Sequence, residues 1–121
     1  YKTAPINYAN ADFKSLIGQP DTCHIYVALA DWTAPFEIRT NPRNQQLFDK
    51  NSPSIIAYGE LVYSGTMDEY QPFEIRLEYR STSRVPTYLQ ITCAASKLGD
   101  YFTGGAGAVL YVDQFSFDYD Y

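Results

Sequence analysis

Three aromatic residues, placed by the sequence at strand ends or in loops, have the chemistry to bind a polyhydroxylated ligand. Trp32 ends a predicted strand, Tyr70 precedes another, and Tyr101 lies in a glycine-rich loop. An aromatic ring can stack on the apolar C–H face of a sugar, and tyrosine adds a polar hydroxyl. Arg76 and Glu78 lie on the polar side of an alternating segment and can bond hydroxyl groups. These five residues form the predicted carbohydrate-binding set.

Each of these residues also has a structural interpretation. Trp32 can cap a core, and the polar row that contains Arg76 and Glu78 can be a solvated strand face whose ion pairs contribute little. Tyr101 is the stronger candidate, because a bulky ring beside Gly99 and Gly104 has no obvious core to fill and loops often carry function.

A glycoside hydrolase is the rival enzymatic class, and it needs two carboxyl groups about 5 to 10 Å apart. The candidates are Glu60, Glu78, Asp100 and Asp113. Because the chain has 14 acidic residues, some pair is always available, and we therefore assign no catalytic residue.

No resident cofactor is predicted. His24 is the only histidine, so a zinc site or a Ser-His-Asp triad lacks its usual parts, and we expect His24 to be a structural strand residue. A structural calcium ion stays open as an alternative, since Asp21, Asp100 or Asp113 could contribute oxygen ligands. No spacing motif supports such a site.

Composition excludes other classes of partner. The net charge is −5 and the isoelectric point is near 4.6, whereas nucleic-acid binding needs a basic surface that displaces counterions from phosphates. No apolar run approaches the roughly 20 residues needed to span a bilayer. Tyrosine is abundant, with 12 residues, so we expect several rings to reach the surface. The start on Tyr1 indicates a processed, truncated or engineered chain end.

The strand pattern predicts an all-β fold. Apolar residues alternate over short segments and never recur at helical spacing for more than one turn. A glycine at position 59 predicts a bulge or a close approach of backbone, and long irregular connections, including a surface loop over Asn41–Ser54, favour a jelly-roll sandwich. The predicted strands are Cys23–Trp32, Phe36–Thr40, Ile55–Tyr63, Phe73–Arg80, Tyr88–Ala95 and Val109–Tyr119.

The two cysteines, Cys23 and Cys93, are each in phase with apolar residues of a predicted strand, so both are expected to face inward. A disulfide between them would close a loop of about 70 residues and stabilise the fold by about 4 kcal/mol. Two buried free thiols are the favoured interpretation.

Several of these motifs resemble one known family. They are DTCHIY (21–26), IAYGEL (56–61), PT (86–87), SKLGDYFTGG (96–105) and GAVLYVDQF (107–115). In this order, from Asp21 onward, they resemble the putative carbohydrate metabolism domain of Bacteroidetes surface proteins. Two positions depart from the family pattern: Ala108 stands where the family tends to have serine, and Gln114 where it tends to have a second acid. This departure weakens any metal site built on paired acids beside Asp113.

The resemblance implies a galactose-binding-like jelly-roll, similar to carbohydrate-binding modules, on secreted or lipid-anchored proteins that use glycans. It implies an extracellular or cell-surface location and no established catalysis. We expect residues 1–121 to form a single β-sandwich domain, or the C-terminal portion of a longer domain with a neighbour upstream of Tyr1. The predicted function is non-catalytic glycan binding. The alternatives are a structural or protein-interaction domain and, third, a glycoside hydrolase.

Overall fold

The computed structural model describes residues 1–118 and shows a mostly β protein with little helix. Four strands form one antiparallel sheet in the order β3-β2-β1-β4. The strands are β1 (Cys23–Ala30), β2 (Ile55–Tyr63), β3 (Glu78–Tyr79) and β4 (Tyr88–Ala94). Two short 3₁₀ helices lie at Ala11–Leu16 and Gly99–Tyr101.

β1 is the central strand of the sheet. It pairs along its whole length with β2 on one side and along seven residues with β4 on the other, so that Val27 lies opposite both Gly59 and Ile91. Six of its eight residues are buried, which explains why a run with so few polar residues forms this strand. The predicted strands at Cys23, Ile55 and Tyr88 are therefore confirmed, although β1 ends at Ala30, before Trp32.

One face of the sheet, which we call the aromatic face, is covered by the long loop of residues 31–54. The loop places Phe48 over the sheet, with ring centroids 4.6 Å from Tyr26 and 6.1 Å from Tyr58. Trp32 stacks on Phe36 at 5.0 Å and meets Phe48 edge-on. Only its part Asn41–Ser54 was predicted as a surface loop, and no residue of that part is fully buried. Phe48 nevertheless packs, with Trp32, against the core residues Ala28, Ala30 and Ile55.

The opposite face, which we call the groove face, carries the odd-numbered side chains of β1. Among the described residues its cover comes from irregular chain at residues 67–76 and 110–113 rather than from strands. Over β4 the face is open, so that Leu89 and Ile91 are exposed. Cys93 is also exposed, which corrects the prediction that both cysteines face inward; both thiols are free, as favoured.

Three predicted strands are wrong in whole or in part. Phe36–Thr40 forms a single bridge, between Arg39 and Gln46, and Phe73–Arg80 is a strand only at Glu78–Tyr79. Val109–Tyr119 forms one bridge, Val109 to Lys2, and no strand through residue 118; Tyr119 lies outside the described residues. The physical reason is that alternation specifies the two faces of a segment, whereas a strand also needs a hydrogen-bonding neighbour. These segments have none over most of their length.

The jelly-roll sandwich is accordingly not confirmed and stays a prediction, because one sheet accounts for the strands within residues 1–118. The chain's N-terminal segment does take part in the fold. Lys2 and Val109 exchange two backbone hydrogen bonds, of 2.8 and 2.9 Å, and Tyr8 pairs with Gly104 of the glycine-rich loop.

Asp21 joins the N-terminal segment, β1 and the glycine-rich loop: its backbone N–H donates to the carbonyl of Ala4 at 2.9 Å, and its carboxylate is buried. Asp21 is 3% exposed and accepts hydrogen bonds from the backbone N–H of Thr22 and of Gly105, both at 2.8 Å, and from the hydroxyl of Ser96. Gly105 must be glycine, because a Cβ there would lie 2.7 Å from the carbonyl oxygens of Ala4 and Pro5.

Gly59 allows the chain to cross the groove face. A Cβ at this position would lie 2.5 Å from the carbonyl oxygen of Arg76 and 2.8 Å from Cγ2 of Ile75. The predicted close approach of backbone is therefore confirmed, while a bulge at Gly59 is not, since its pairing with Val27 is regular.

Replacing Gly59 by alanine is expected to destabilise the protein by about 2 kcal/mol, because overpacking displaces neighbouring backbone. Urea unfolding followed by tryptophan fluorescence measures the change. The matched control is Gly99→Ala, where the new Cβ would have no neighbour closer than 3.8 Å. Equal stability of the two variants would contradict the close approach.

Replacing Asp21 by alanine is expected to cost about 3 kcal/mol of unfolding free energy, because buried donors lose their acceptor. Asp12→Ala removes an exposed carboxylate from the first 3₁₀ helix and should change stability by less than about 0.5 kcal/mol. Thermal unfolding of both variants beside the wild type tests this, and a small loss in D21A would refute the organising role of Asp21.

Candidate functional site

A groove of about 610 Å³ opens on the groove face, within the size range of small-ligand sites. Its floor is apolar and comes from the sheet, with Cys23 and Ile25 of β1 beside Leu61 and Tyr63 of β2. Cys23 and Ile25 are buried, and burial raises the pKa of the Cys23 thiol. The floor is therefore apolar and uncharged.

Two irregular segments form the walls. Residues 67–73 make one wall and residues 110–113 make the other. The first wall presents Tyr70, which is 69% exposed, and the second presents Tyr111, which is 70% exposed. Two large rings thus stand at the mouth of one groove with most of their surface free to contact a ligand.

The first residues of the chain connect the two walls. The carbonyl of Tyr1 accepts a hydrogen bond from the N–H of Met67 at 2.9 Å, and Lys2 pairs with Val109 next to the second wall. The Tyr1 ring is buried, and its hydroxyl donates to the carbonyl of Ala95 at 2.9 Å. This segment fixes the walls relative to the sheet.

The charged side chains that line the groove are all acidic. Asp68 and Glu69 belong to the first wall and Asp113 to the second, and Gln71 adds an amide. The carboxylate of Asp113 accepts a hydrogen bond from the N–H of Gln114 at 2.8 Å, where the backbone turns with a positive φ of 54°. The groove thus combines aromatic faces with hydrogen-bonding groups.

The sequence model of one family, described as "Putative carbohydrate metabolism domain", matches residues 1–117. The chain belongs to this family. The match begins at residue 1, so the family pattern includes the N-terminal segment that holds the walls, and not only the part from Asp21 onward. Comparison with curated proteins and with solved structures gives no match.

The predicted site residues of this carbohydrate metabolism domain are not brought together. Tyr70 lines the groove, whereas Trp32 lies in the aromatic cluster on the other face, half-buried between Phe36 and Phe48. Tyr101 is 45% exposed in the second 3₁₀ helix, and its ring packs on Phe13 at 5.7 Å. Tyr101 therefore does have a packing partner, contrary to the argument that singled it out.

Arg76 and Glu78 lie outside the groove. Glu78 is exposed in the edge strand β3, opposite Tyr58 and so on the aromatic face. Arg76 has an exposed side chain, while its backbone crosses over Gly59. Their roles as hydrogen-bonding residues for a ligand stay predictions, and neither adjoins Tyr70 in the groove.

The sequence reasoning missed several groove residues, Gln71 among them. Asp68 and Glu69 precede Tyr70 directly, and a pair of acids beside an aromatic residue in a loop is a signal that could have found them. Tyr63 and Tyr111 were assigned to strands, so nothing in the pattern separated them from core residues.

A second polar cluster of the domain lies on the aromatic face. Glu60 accepts hydrogen bonds from His24 Nε2 at 2.7 Å and from the Tyr58 hydroxyl at 2.9 Å, and Lys50 Nζ lies 3.8 Å from its other oxygen. Burial acts to raise the pKa of Glu60, but these hydrogen bonds and the charge of Lys50 outweigh it and lower the pKa. His24 is thus a satisfied structural residue, as predicted.

The candidate calcium ligands Asp21, Asp100 and Asp113 lie in different parts of the domain. Asp21 uses its carboxylate for three N–H and O–H donors, Asp100 belongs to the second 3₁₀ helix, and Asp113 lies at the groove. In residues 1–118, no three His, Cys, Asp or Glu side chains group in a way that could hold a metal ion. Nor does any helix of that part of the chain have the length and apolar character to cross a membrane.

The Glu60 cluster predicts a pH dependence of stability. Because the folded-state pKa of Glu60 is lowered, its contribution is present above the ordinary value of 4.5 and is lost as the pH falls through the folded-state pKa. We expect Glu60→Gln to be less stable than wild type at pH 7, and the difference to narrow between about pH 5 and 3.

Chemical unfolding at a series of pH values measures this difference. Glu37→Gln is the control, since Glu37 is 73% exposed and lies 3.7 Å from Arg39 in a surface ion pair. A difference between wild type and E60Q that stays constant or widens on acidification would contradict the assignment.

Proposed function

We propose that this domain is a non-catalytic module that binds glycan chains in the groove. The observation that carries the proposal is the position of Tyr70 and Tyr111, two exposed rings on opposite walls of one groove with an apolar floor. Membership of a family described by carbohydrate metabolism supports the class of ligand.

The chemistry of the groove fits a sugar. A pyranose ring offers apolar C–H faces that stack on tyrosine, and its hydroxyl groups need hydrogen-bond partners around the rim. Asp68, Glu69 and Asp113 accept hydrogen bonds, and Gln71 both donates and accepts. Few such groups around an apolar floor are typical of ligand sites.

Hydrolysis is the weaker alternative. Glu60 is engaged by His24 and Tyr58 on the aromatic face, whereas Asp113 lines the groove together with Asp68 and Glu69 of the other wall. All three groove carboxyl groups are exposed, whereas the general acid of a glycoside hydrolase works in an apolar pocket. Product analysis during the binding experiment detects any cleavage. Release of shorter oligosaccharides would show that the domain is an enzyme and would contradict the non-catalytic assignment.

The test is binding to a glycan array, followed by calorimetry on each ligand found. Tyr70→Ala and Tyr111→Ala are each expected to weaken binding by about tenfold or more, because stacking and apolar contact at a ring are worth on the order of 1–3 kcal/mol. Tyr8→Ala is the matched control, since Tyr8 is 66% exposed and does not line the groove. Equal loss in all three variants would contradict the site.

A second candidate is a structural or protein-interaction domain, favoured by the open face of β4. Leu89 is 47% exposed and Ile91 is 38% exposed on a strand with one unpaired edge, and such surfaces often contact other proteins. If a well-folded sample binds no glycan on the array, this result would favour the structural or protein-interaction role. The proposal also includes a location outside the cell or at its surface, which cell fractionation tests. It further includes a neighbouring domain upstream of Tyr1, which the full reading frame of the gene tests.

A further inference from the structure

We propose that the groove selects glycans by charge: it accepts neutral sugars, binds sugars that carry a free amine more tightly, and rejects sugars that carry carboxylate or sulfate. This inference rests on the proposed function, because it assigns the class of ligand to the same groove. It is carried by the charges around the groove and not by any motif.

The charged side chains that line the groove have one sign. Three carboxylates, those of Asp68, Glu69 and Asp113, line the groove, and none of the residues that line it is lysine, arginine or histidine. Asp68, Glu69 and Asp113 are all exposed. Within residues 1–118 none of the three takes part in a salt bridge. No cationic side chain of the described residues therefore lies within 4.0 Å of these carboxylates, and a ligand in the groove is exposed to their charges.

The basic residues nearest to the groove in the chain do not line it. Lys2 lies next to Tyr1 and Arg76 crosses over Gly59, yet neither lines the groove. Lys50 and Arg80 lie on the opposite face, where both are near the ring of Tyr58. On that face Lys50 and Arg80 are accompanied by Glu60 and Glu78, whereas the charged side chains that line the groove are acidic alone. The net charge of the whole chain, −5, adds to the negative potential there.

The shape of the groove strengthens the effect of its charges. A groove with a low-dielectric floor concentrates the field of charges on its walls, so an anionic group that enters it meets repulsion from both walls. Recognition of acidic sugars normally uses arginine, whose planar group bonds carboxylate or sulfate in a bidentate manner. The charges are reversed in this groove, because the protein supplies carboxylates, which pair with a protonated amine on the sugar.

The probes are a glycan array that contains neutral, amine-bearing, uronic, sialylated and sulfated oligosaccharides, and then one neutral ligand in three forms. The forms are the parent, the derivative oxidised to a carboxylate at C6, and the derivative with an amine at C2, which share one ring geometry. We expect the C6 carboxylate to bind at least about tenfold more weakly than the parent and the amine to bind more tightly, with both differences shrinking at high salt.

The variant Asp68→Asn/Glu69→Gln should raise affinity for the carboxylate form and lower it for the amine form, each expressed as a ratio to the affinity of the same variant for the parent, because Asp68 and Glu69 also accept hydrogen bonds from the neutral ligand. The control Asp12→Asn/Glu37→Gln changes the net charge equally at exposed positions outside the groove, and it should shift none of the three affinities appreciably. This comparison separates the local charge from the overall charge.

The outcomes are distinct. An array on which no glycan of any class binds refutes the proposed function itself. A second outcome is that a glycan binds and Tyr70→Ala abolishes the binding, but the three forms bind equally or the carboxylate form binds most tightly. This result supports glycan binding in the groove and overturns the charge selection. Equal shifts in the groove variant and in the control variant overturn it as well.

Discussion

The fold depends on one buried carboxylate. Asp21 lies just before β1. Its carboxylate accepts hydrogen bonds from the N–H of the next residue, Thr22, from the hydroxyl of Ser96 after β4, and from the N–H of Gly105. A buried charge is tolerated only when its hydrogen bonds are satisfied. Ser96 and Gly105 lie 75 and 84 residues after Asp21, and the backbone N–H of Asp21 donates to the carbonyl of Ala4. This one residue therefore fixes where the N-terminal segment, the sheet and the glycine-rich loop meet.

The groove follows from that junction. The glycine-rich loop is held by Asp21 and by the pairing of Tyr8 with Gly104, and it leads into the wall at residues 110–113 through Val109, which pairs with Lys2. The opposite wall begins at Met67, which bonds to Tyr1. The sheet supplies a flat apolar floor, and irregular chain supplies the functional groups, which is a common division of roles between rigid elements and loops.

The alternation of apolar and polar residues was sufficient to predict β1, β2 and β4, the strands that pair with another strand over most of their length. It was insufficient for Phe73–Arg80 and for the segment after Val109, because the pattern of one segment carries no information about its partner. Gly59 was interpretable from sequence since its reason is steric and local to the strand. The groove was not, because Tyr70 and Tyr111 are brought together only by the packing of two walls onto the sheet. Trp32 illustrates the same limit: its surroundings depend on how the long loop folds across β1.

The central position of β1 also determines how the chain can fold. Val27 contacts Gly59 on one side and Ile91 on the other, so the most buried strand is complete only after two long segments have closed into loops. Closing long loops before native contacts form is entropically costly and slows folding. During synthesis, which runs from the N-terminus, the edge of β1 that pairs with β4 stays unpaired until β4 has left the ribosome. The apolar residues of β1 are therefore the part of this chain most in need of protection before the sheet is closed.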